Sequence, residues 1–305
     1  MALTTHLLSL SASSYTHATQ HLFLTRAGTG ELTAEQLARW LTQDRLYALG
    51  GYVRFLGTLI AKCPVPLGGV GEKGVEGDKA EQCARRRLMV LGGAMAVSPP
   101  PPPSLLPRCP CVLMSRHQNI TREVAFFEDV AARHGLSLQT PPVSSSSDDA
   151  LLGLLAPTTR AYIDFQMATV ASGTFEEGLA LLWAMEVVRC PPLPRSGATS
   201  LRAMLTGLRT QLYLESWRHV RSFLPFPSNS SSSVTSALSE LIPNWTAPEF
   251  EHFVADIAEL VDELPELDGR LSPQAGTNAA RQRVESIWNE TLFYEVRFWE
   301  SAGVQ

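Results

Sequence analysis

Apolar residues recur every three or four positions through most of the chain, the spacing of a helix with one buried face. The clearest run is 33–62, where Leu37, Trp40, Leu41, Tyr47, Ala48, Gly51, Phe55 and Leu59 share that spacing. Thr33 and Gln36 at its start form a capping-box signature, the threonine hydroxyl accepting from first-turn N–H groups. The pattern predicts further helices over about 119–134, from Pro157, and from Phe175 through Glu186 after a break at Ser172-Gly173. Others are expected around 207–223, 247–263 and 278–300. Strand-type alternation is absent over any useful length, so the chain reads as all-α.

Three acids break the binary pattern by falling on apolar stripes. Asp44 shares a face with Trp40, Leu41, Tyr47 and Ala48; Glu186 with Phe175, Leu179, Leu182 and Trp183; Glu295 with Trp288, Leu292, Phe298 and Trp299. An ionised carboxylate in apolar surroundings is costly unless paired or hydrogen-bonded. Three such positions in one bundle point to a polar pocket between helices. For any one of them, a structural bond to a buried Arg, Tyr or Trp is an equally open reading. Tyr47, Tyr162 and Tyr294 likewise read either as pocket walls or as core aromatics.

Two segments depart from this order, at about 63–117 and 189–206. The first holds Gly-Gly pairs, Arg85-Arg86-Arg87 and five prolines from Pro99 to Pro103; the second opens with Cys190-Pro191-Pro192-Leu193-Pro194. A proline block cannot lie inside a helix, because each ring lacks the N–H and clashes with the preceding turn. Both segments read as non-native or disordered inserts, such as retained intron, within a single helical domain spanning 1–305. Functional loops are the other explanation. The serine runs 144–147 and 230–233 read as flexible loops.

Composition narrows the functional classes. The chain has 305 residues, 45% hydrophobic and 18% charged, enough to bury a sizeable core. Its 25 basic and 30 acidic residues give a net charge of −5 with no basic tract beyond the short Arg triplet, which argues against a nucleic-acid partner. No basic residue precedes Arg26 and no run reaches the roughly 18–20 apolar residues of a membrane span, so a cytoplasmic protein without membrane contact is expected. Five cysteines, all in the two odd segments, suit free thiols better than a disulfide framework or a zinc site. Phosphate loops and metalloprotease or serine-hydrolase motifs are missing, and no metal triad is legible among seven scattered histidines. His21, just before a helical signal, reads as a packed polar residue.

Four local patterns then resemble, in order, the TenA (thiaminase II) family. They are His21-Leu22-Phe23 through Gly28-Thr29-Gly30-Glu31-Leu32 leading to Gln43-Asp44-Arg45-Leu46-Tyr47; Arg122-Glu123-x-x-Phe126-Phe127-Glu128; Pro157 to Tyr162 with Ser172-Gly173-Thr174-Phe175 and Leu182-Trp183-Ala184-Met185-Glu186; and Tyr294-Glu295-x-x-Phe298-Trp299. The resemblance covers nearly every orderly helix and skips both odd segments. It implies a haem-oxygenase-like helical bundle with a central pocket, working in thiamin salvage as a C–N hydrolase on an aminomethyl- or formylaminomethyl-pyrimidine. No metal or organic cofactor is implied, and a homo-oligomer is.

Carried over by residue, the resemblance implies that Asp44 holds the aminopyrimidine edge, with Tyr47, Tyr162 and Phe298 against the ring. Glu295 is the general acid toward the leaving amine and then activates water. Many members place a nucleophilic cysteine where this chain reads Leu182-Trp183-Ala184. The chain is similar instead to a subgroup that lacks the thiol and carries a glutamate nearby, here Glu186, as catalytic acid or base. Relatives continue this helix directly into a segment resembling Tyr213-Leu214-Glu215-Ser216-Trp217, and the inserts are expected to impair activity. The rivals are a non-catalytic pyrimidine-binding or interaction protein on the same fold, and a metal or haem oxygenase. The latter needs a histidine on the first long helix, and 33–62 contains none.

Overall fold

The computed structural model describes residues 2–64, 75–95, 120–139, 153–186, 213–226, 232–264 and 275–304. Among them are thirteen α-helices, one π-helical turn and no strand. In chain order the helices are α1 (Leu3–Leu10), α2 (Ala12–Thr19), α3 (Leu22–Thr29), α4 (Ala34–Tyr47), α5 (Val53–Ala61), α6 (Val75–Met95), α7 (Ile120–Arg133), α8 (Pro157–Ser172), α9 (Phe175–Glu186), α10 (Tyr213–Arg221), α11 (Ser233–Trp245), α12 (Pro248–Asp262) and α13 (Ala275–Glu300). The π turn, Ala48–Tyr52, joins α4 to α5.

Local chemistry accounts for several boundaries. Thr33 and Gln36 make the expected capping box at α4, and Pro157 opens α8. His21 caps α3, its ring accepting from the Phe23 N–H at 3.2 Å, so this packed histidine has a backbone role. The serine run at 230–233 is not simply loop. Ser232 caps α11 through a reciprocal box with Thr235, because a serine just ahead of a helix satisfies its free N–H groups. The expected helix near 207–223 begins, among the described residues, at Tyr213.

Part of the first odd segment is built into the bundle. Helix α6 packs on α5 and α12, burying Ala84, Val90 and Leu91. Arg86 reaches Glu259 on α12 (2.5 Å) and Glu263 at its C-cap (2.9 Å), and Arg87 lies over the Phe175 ring. Residues 65–74, 96–119 and 187–212, which include the proline blocks, lie outside the described residues. No described helix is long and apolar enough to cross a membrane.

Two apolar clusters make the core. One gathers α5, α9, α12 and most of α13 around Leu179, Leu182, Trp183, Val254 and Trp288. The other gathers α3, α4, α7, α10, α11 and the end of α13 around Trp40. The Trp40 ring centroid lies 5.3–5.6 Å from those of Trp217, Trp245, Trp299 and Phe23, all buried. Such pairs add to the burial of their large apolar areas. Tyr47 packs against both clusters, so the end of α4 marks their seam. Trp40→Ala should cost about 3–5 kcal/mol in denaturant unfolding, since the rigid rings around it cannot close so large a void. A loss below about 1 kcal/mol would mean that this cluster is not what holds the second core together.

Candidate active site

A cavity of about 110 Å³ opens at the seam. The six residues given roles by the resemblance line it: Asp44 and Tyr47 from α4, Tyr162 from α8, Glu186 from α9, and Glu295 and Phe298 from α13, whereas Tyr294 packs with the core and stacks on Tyr162 at 5.2 Å. Glu123, Tyr52 and Met185 also face it and were not singled out. Tyr52 depends on the π turn, whose i→i+5 register brings it round beside Tyr47 with ring centroids 6.1 Å apart. No apolar spacing in the sequence announces that register. Glu123 did carry a signal, an acid between Ile120 and Phe127 on an apolar stripe.

Gln43, Asp44 and Arg45 are consecutive and buried, and they face different ways. Gln43 donates to the Leu154 carbonyl at 3.0 Å and accepts from the Ala156 N–H at 2.8 Å, fixing the entry to α8. Arg45 pairs with Glu128 at 2.7 Å and donates to the Gln139 carbonyl at 3.0 Å, tying α4 to α7 and the segment after it. The Asp44 side chain, in a residue 7% exposed, has no hydrogen bond or ion pair among the described residues. Its neighbours hold the walls while its own carboxyl stays available to the cavity.

The tyrosines form a connected wall. Tyr162 donates to Glu295 Oε1 at 2.7 Å. Tyr47 accepts from Gln166 Nε2 at 3.0 Å and directs its hydroxyl to Met185 Sδ at 3.5 Å. The rings of Tyr47 and Tyr162 lie 5.9 Å apart at 22°, with Phe298 5.8 Å from Tyr47. Gly51 lets α8 approach, since a Cβ there would lie 2.6 Å from Ile163 Cγ1.

Burial dominates the electrostatics. It raises Glu123 and Glu295 from 4.5 to about 7 and Glu186 to about 8, and pushes Asp44 well above the usual carboxylate range. Mutual repulsion adds to the rise at Asp44 and Glu186, whereas a hydrogen bond from Tyr52 tempers Glu186 and one from Tyr162 tempers Glu295. No Lys, Arg or His is among the described lining residues. A cavity lined by acids and aromatic rings, without a cation, suits a neutral or basic heterocycle and disfavours an anion. The four acids are not arranged to hold a metal, for no group of His, Cys, Asp or Glu among the described residues forms such a cluster.

Solved structures share this arrangement of helices. A TenA homologue from Pyrococcus furiosus, 18% identical, superposes with a TM-score of 0.59 over 98% of this chain and 99% of its own. The fold is that of the TenA homologues. A second TenA homologue, from P. horikoshii, is also 18% identical, with a TM-score of 0.57 over 99% and 98% of the two chains. A structure from Silicibacter described as a TenA family transcription regulator gives 0.56 at 13% identity over 99% and 97%. In sequence, a Fusarium pseudograminearum protein named "Probable transcription factor" is 28% identical over 296 residues, 94% of this chain. The chain spans about half the length of that relative. No protein-family model matches the chain.

The TenA-fold cavity has a consequence for stability. Each raised acid holds in the folded protein a proton that it loses from about pH 4.5 upward in the unfolded chain. Their favourable contribution is complete below that value and is lost as pH rises through about 7 and about 8. The apparent melting temperature should therefore fall between about pH 5 and pH 8, and Glu186→Gln should flatten that fall. Parallel pH profiles for the two proteins would show that Glu186 does not titrate as a buried acid.

Proposed function

We propose that the protein hydrolyses an aminopyrimidine, exchanging an exocyclic amine for a hydroxyl in the salvage of thiamin fragments. The observation that carries this is Asp44, an acid buried in the seam, without a described partner, facing a cavity on the scale of one small aromatic ring. Asp44 accepts from the ring's amino group, and the Tyr47, Tyr162 and Phe298 rings hold the heterocycle by its faces and edge.

The reaction then needs a proton delivered and a proton removed. The C–N bond breaks with its electron pair going to nitrogen, which takes a proton from Glu295 and leaves as ammonia or a larger amine. Water adds to the carbon left behind and returns its proton to Glu295, so water enters, amine departs and the acid is restored. A group titrating at about 7 serves both steps at neutral pH, and the Tyr162 hydroxyl steadies its ionised form. Glu186, bonded to Tyr52 and titrating at about 8, is the second acid–base group in a cavity that has no thiol on α9.

A non-catalytic pyrimidine-binding or regulatory protein is the alternative, favoured by that missing thiol and by two relatives named for transcription. Incubation with the aminomethyl-aminopyrimidine should release ammonia, and with its formylaminomethyl form formamide, with or without chelator. Glu295→Gln and Glu186→Gln should each lower kcat by about 100- to 10,000-fold. Tight binding with no turnover would decide for the alternative, and full activity in both variants would remove these residues from the chemistry.

A further inference from the structure

The Tyr47 hydroxyl is held by a residue that the hydrolytic scheme does not use. Gln166 lies one turn beyond Tyr162 on α8 and is wholly buried. Its Nε2 donates to the Tyr47 hydroxyl oxygen at 3.0 Å, while its Oε1 is buried without a hydrogen-bond partner among the described residues. An amide so placed lowers stability, because a buried carbonyl oxygen with no donor has lost its water and gained nothing for it. An apolar side chain of the same length would fill the position without that penalty. The effect of the amide is on direction instead. With its oxygen accepting from Gln166, the Tyr47 hydroxyl turns its own proton to Met185 Sδ at 3.5 Å, a weak acceptor that a ligand oxygen readily displaces. Burial keeps that proton in place, and among the carboxyls that act on this hydroxyl Glu186 and Glu295 come ahead of Asp44. The donor therefore stands by the two acid–base groups of the proposed reaction.

We propose that Gln166 is a positioning residue: its amide fixes the Tyr47 hydroxyl as a hydrogen-bond donor to the oxygen that enters the reaction, first as water and then as the product hydroxyl. The inference rests on the hydrolytic reading of the cavity and adds what orients its water. One lone pair of the water oxygen forms the bond to the exocyclic carbon, one proton passes to Glu295, and the second lone pair accepts from Tyr47. Without the amide, the hydroxyl rotates about its C–O bond and points the required way only part of the time, so the water is held less often in line for attack.

A double-mutant cycle between Gln166 and Tyr47 separates this role from a structural one. Gln166→Met should leave the apparent melting temperature unchanged or raise it, yet lower kcat about 3- to 30-fold with KM held within about threefold. In a Tyr47→Phe background, which has no hydroxyl to direct, Gln166→Met should change kcat by less than about twofold. An equal loss in both backgrounds, full activity in Gln166→Met, or a loss that tracks a lowered melting temperature overturns the proposal. The same cycle read by calorimetric titration does not need turnover. The unsubstituted protein should bind the hydroxymethyl aminopyrimidine (the expected product) about 10-fold more tightly than its methyl counterpart, which lacks the oxygen. Gln166→Met should reduce that preference only where Tyr47 is present, and a preference unchanged in Gln166→Met overturns the proposal as well. Absent turnover with a coupled preference would remove the hydrolase and leave Gln166 its role at the ligand's hydroxyl. Normal turnover with an uncoupled cycle would do the reverse, and binding of neither compound would overturn both.

Discussion

Taking a carboxyl out of water without a cation beside it leaves two ways to lower the cost: keep the proton, or find donors that stabilise the charge. This bundle does both around one cavity. Glu295 has the Tyr162 hydroxyl, Glu186 has Tyr52, and Asp44 has no described donor. The result is a graded set of acids, two titrating at about 7, one at about 8 and one held well above its usual range by burial and three like-charged neighbours. A site with proton donors and acceptors near neutral pH follows from that constraint before any substrate is named.

The rest of the bundle serves to hold those acids against their mutual repulsion. The cavity falls where two apolar clusters meet, so each wall is anchored in a different core. Around Asp44 the anchoring is explicit: Gln43 grips the backbone entering α8, Arg45 grips Glu128 on α7, and the Trp40 cluster lies one turn back along α4. The π turn completes the wall. It turns Tyr52 toward Glu186 and, through Gly51, lets the helix carrying Tyr162 come close.

The sequence exposed whatever depends on ordinary helical spacing. Asp44, Glu186 and Glu295 stood out because an acid on an apolar stripe breaks the binary pattern, and α4, α8 and α9 carried clear start signals. Glu123 broke the pattern in the same way, yet the helix around it offered less context. Tyr52 was out of reach, since its place depends on a change of helical register that no apolar spacing encodes. Helix α11 was obscured because a serine run has the composition of a linker, whereas Ser232 acts as a cap. Composition also set the α6 region apart, but Arg86, Val90 and Leu91 have partners only in the folded bundle.

A crystal structure of the protein with an aminopyrimidine bound at neutral pH tests the central claim most directly, that these acids form one ligand site. The ring should lie at the seam with its amino group against Asp44 and its exocyclic carbon toward Glu295. A ligand bound elsewhere on the molecule, or an empty seam at saturating concentration, would contradict the account.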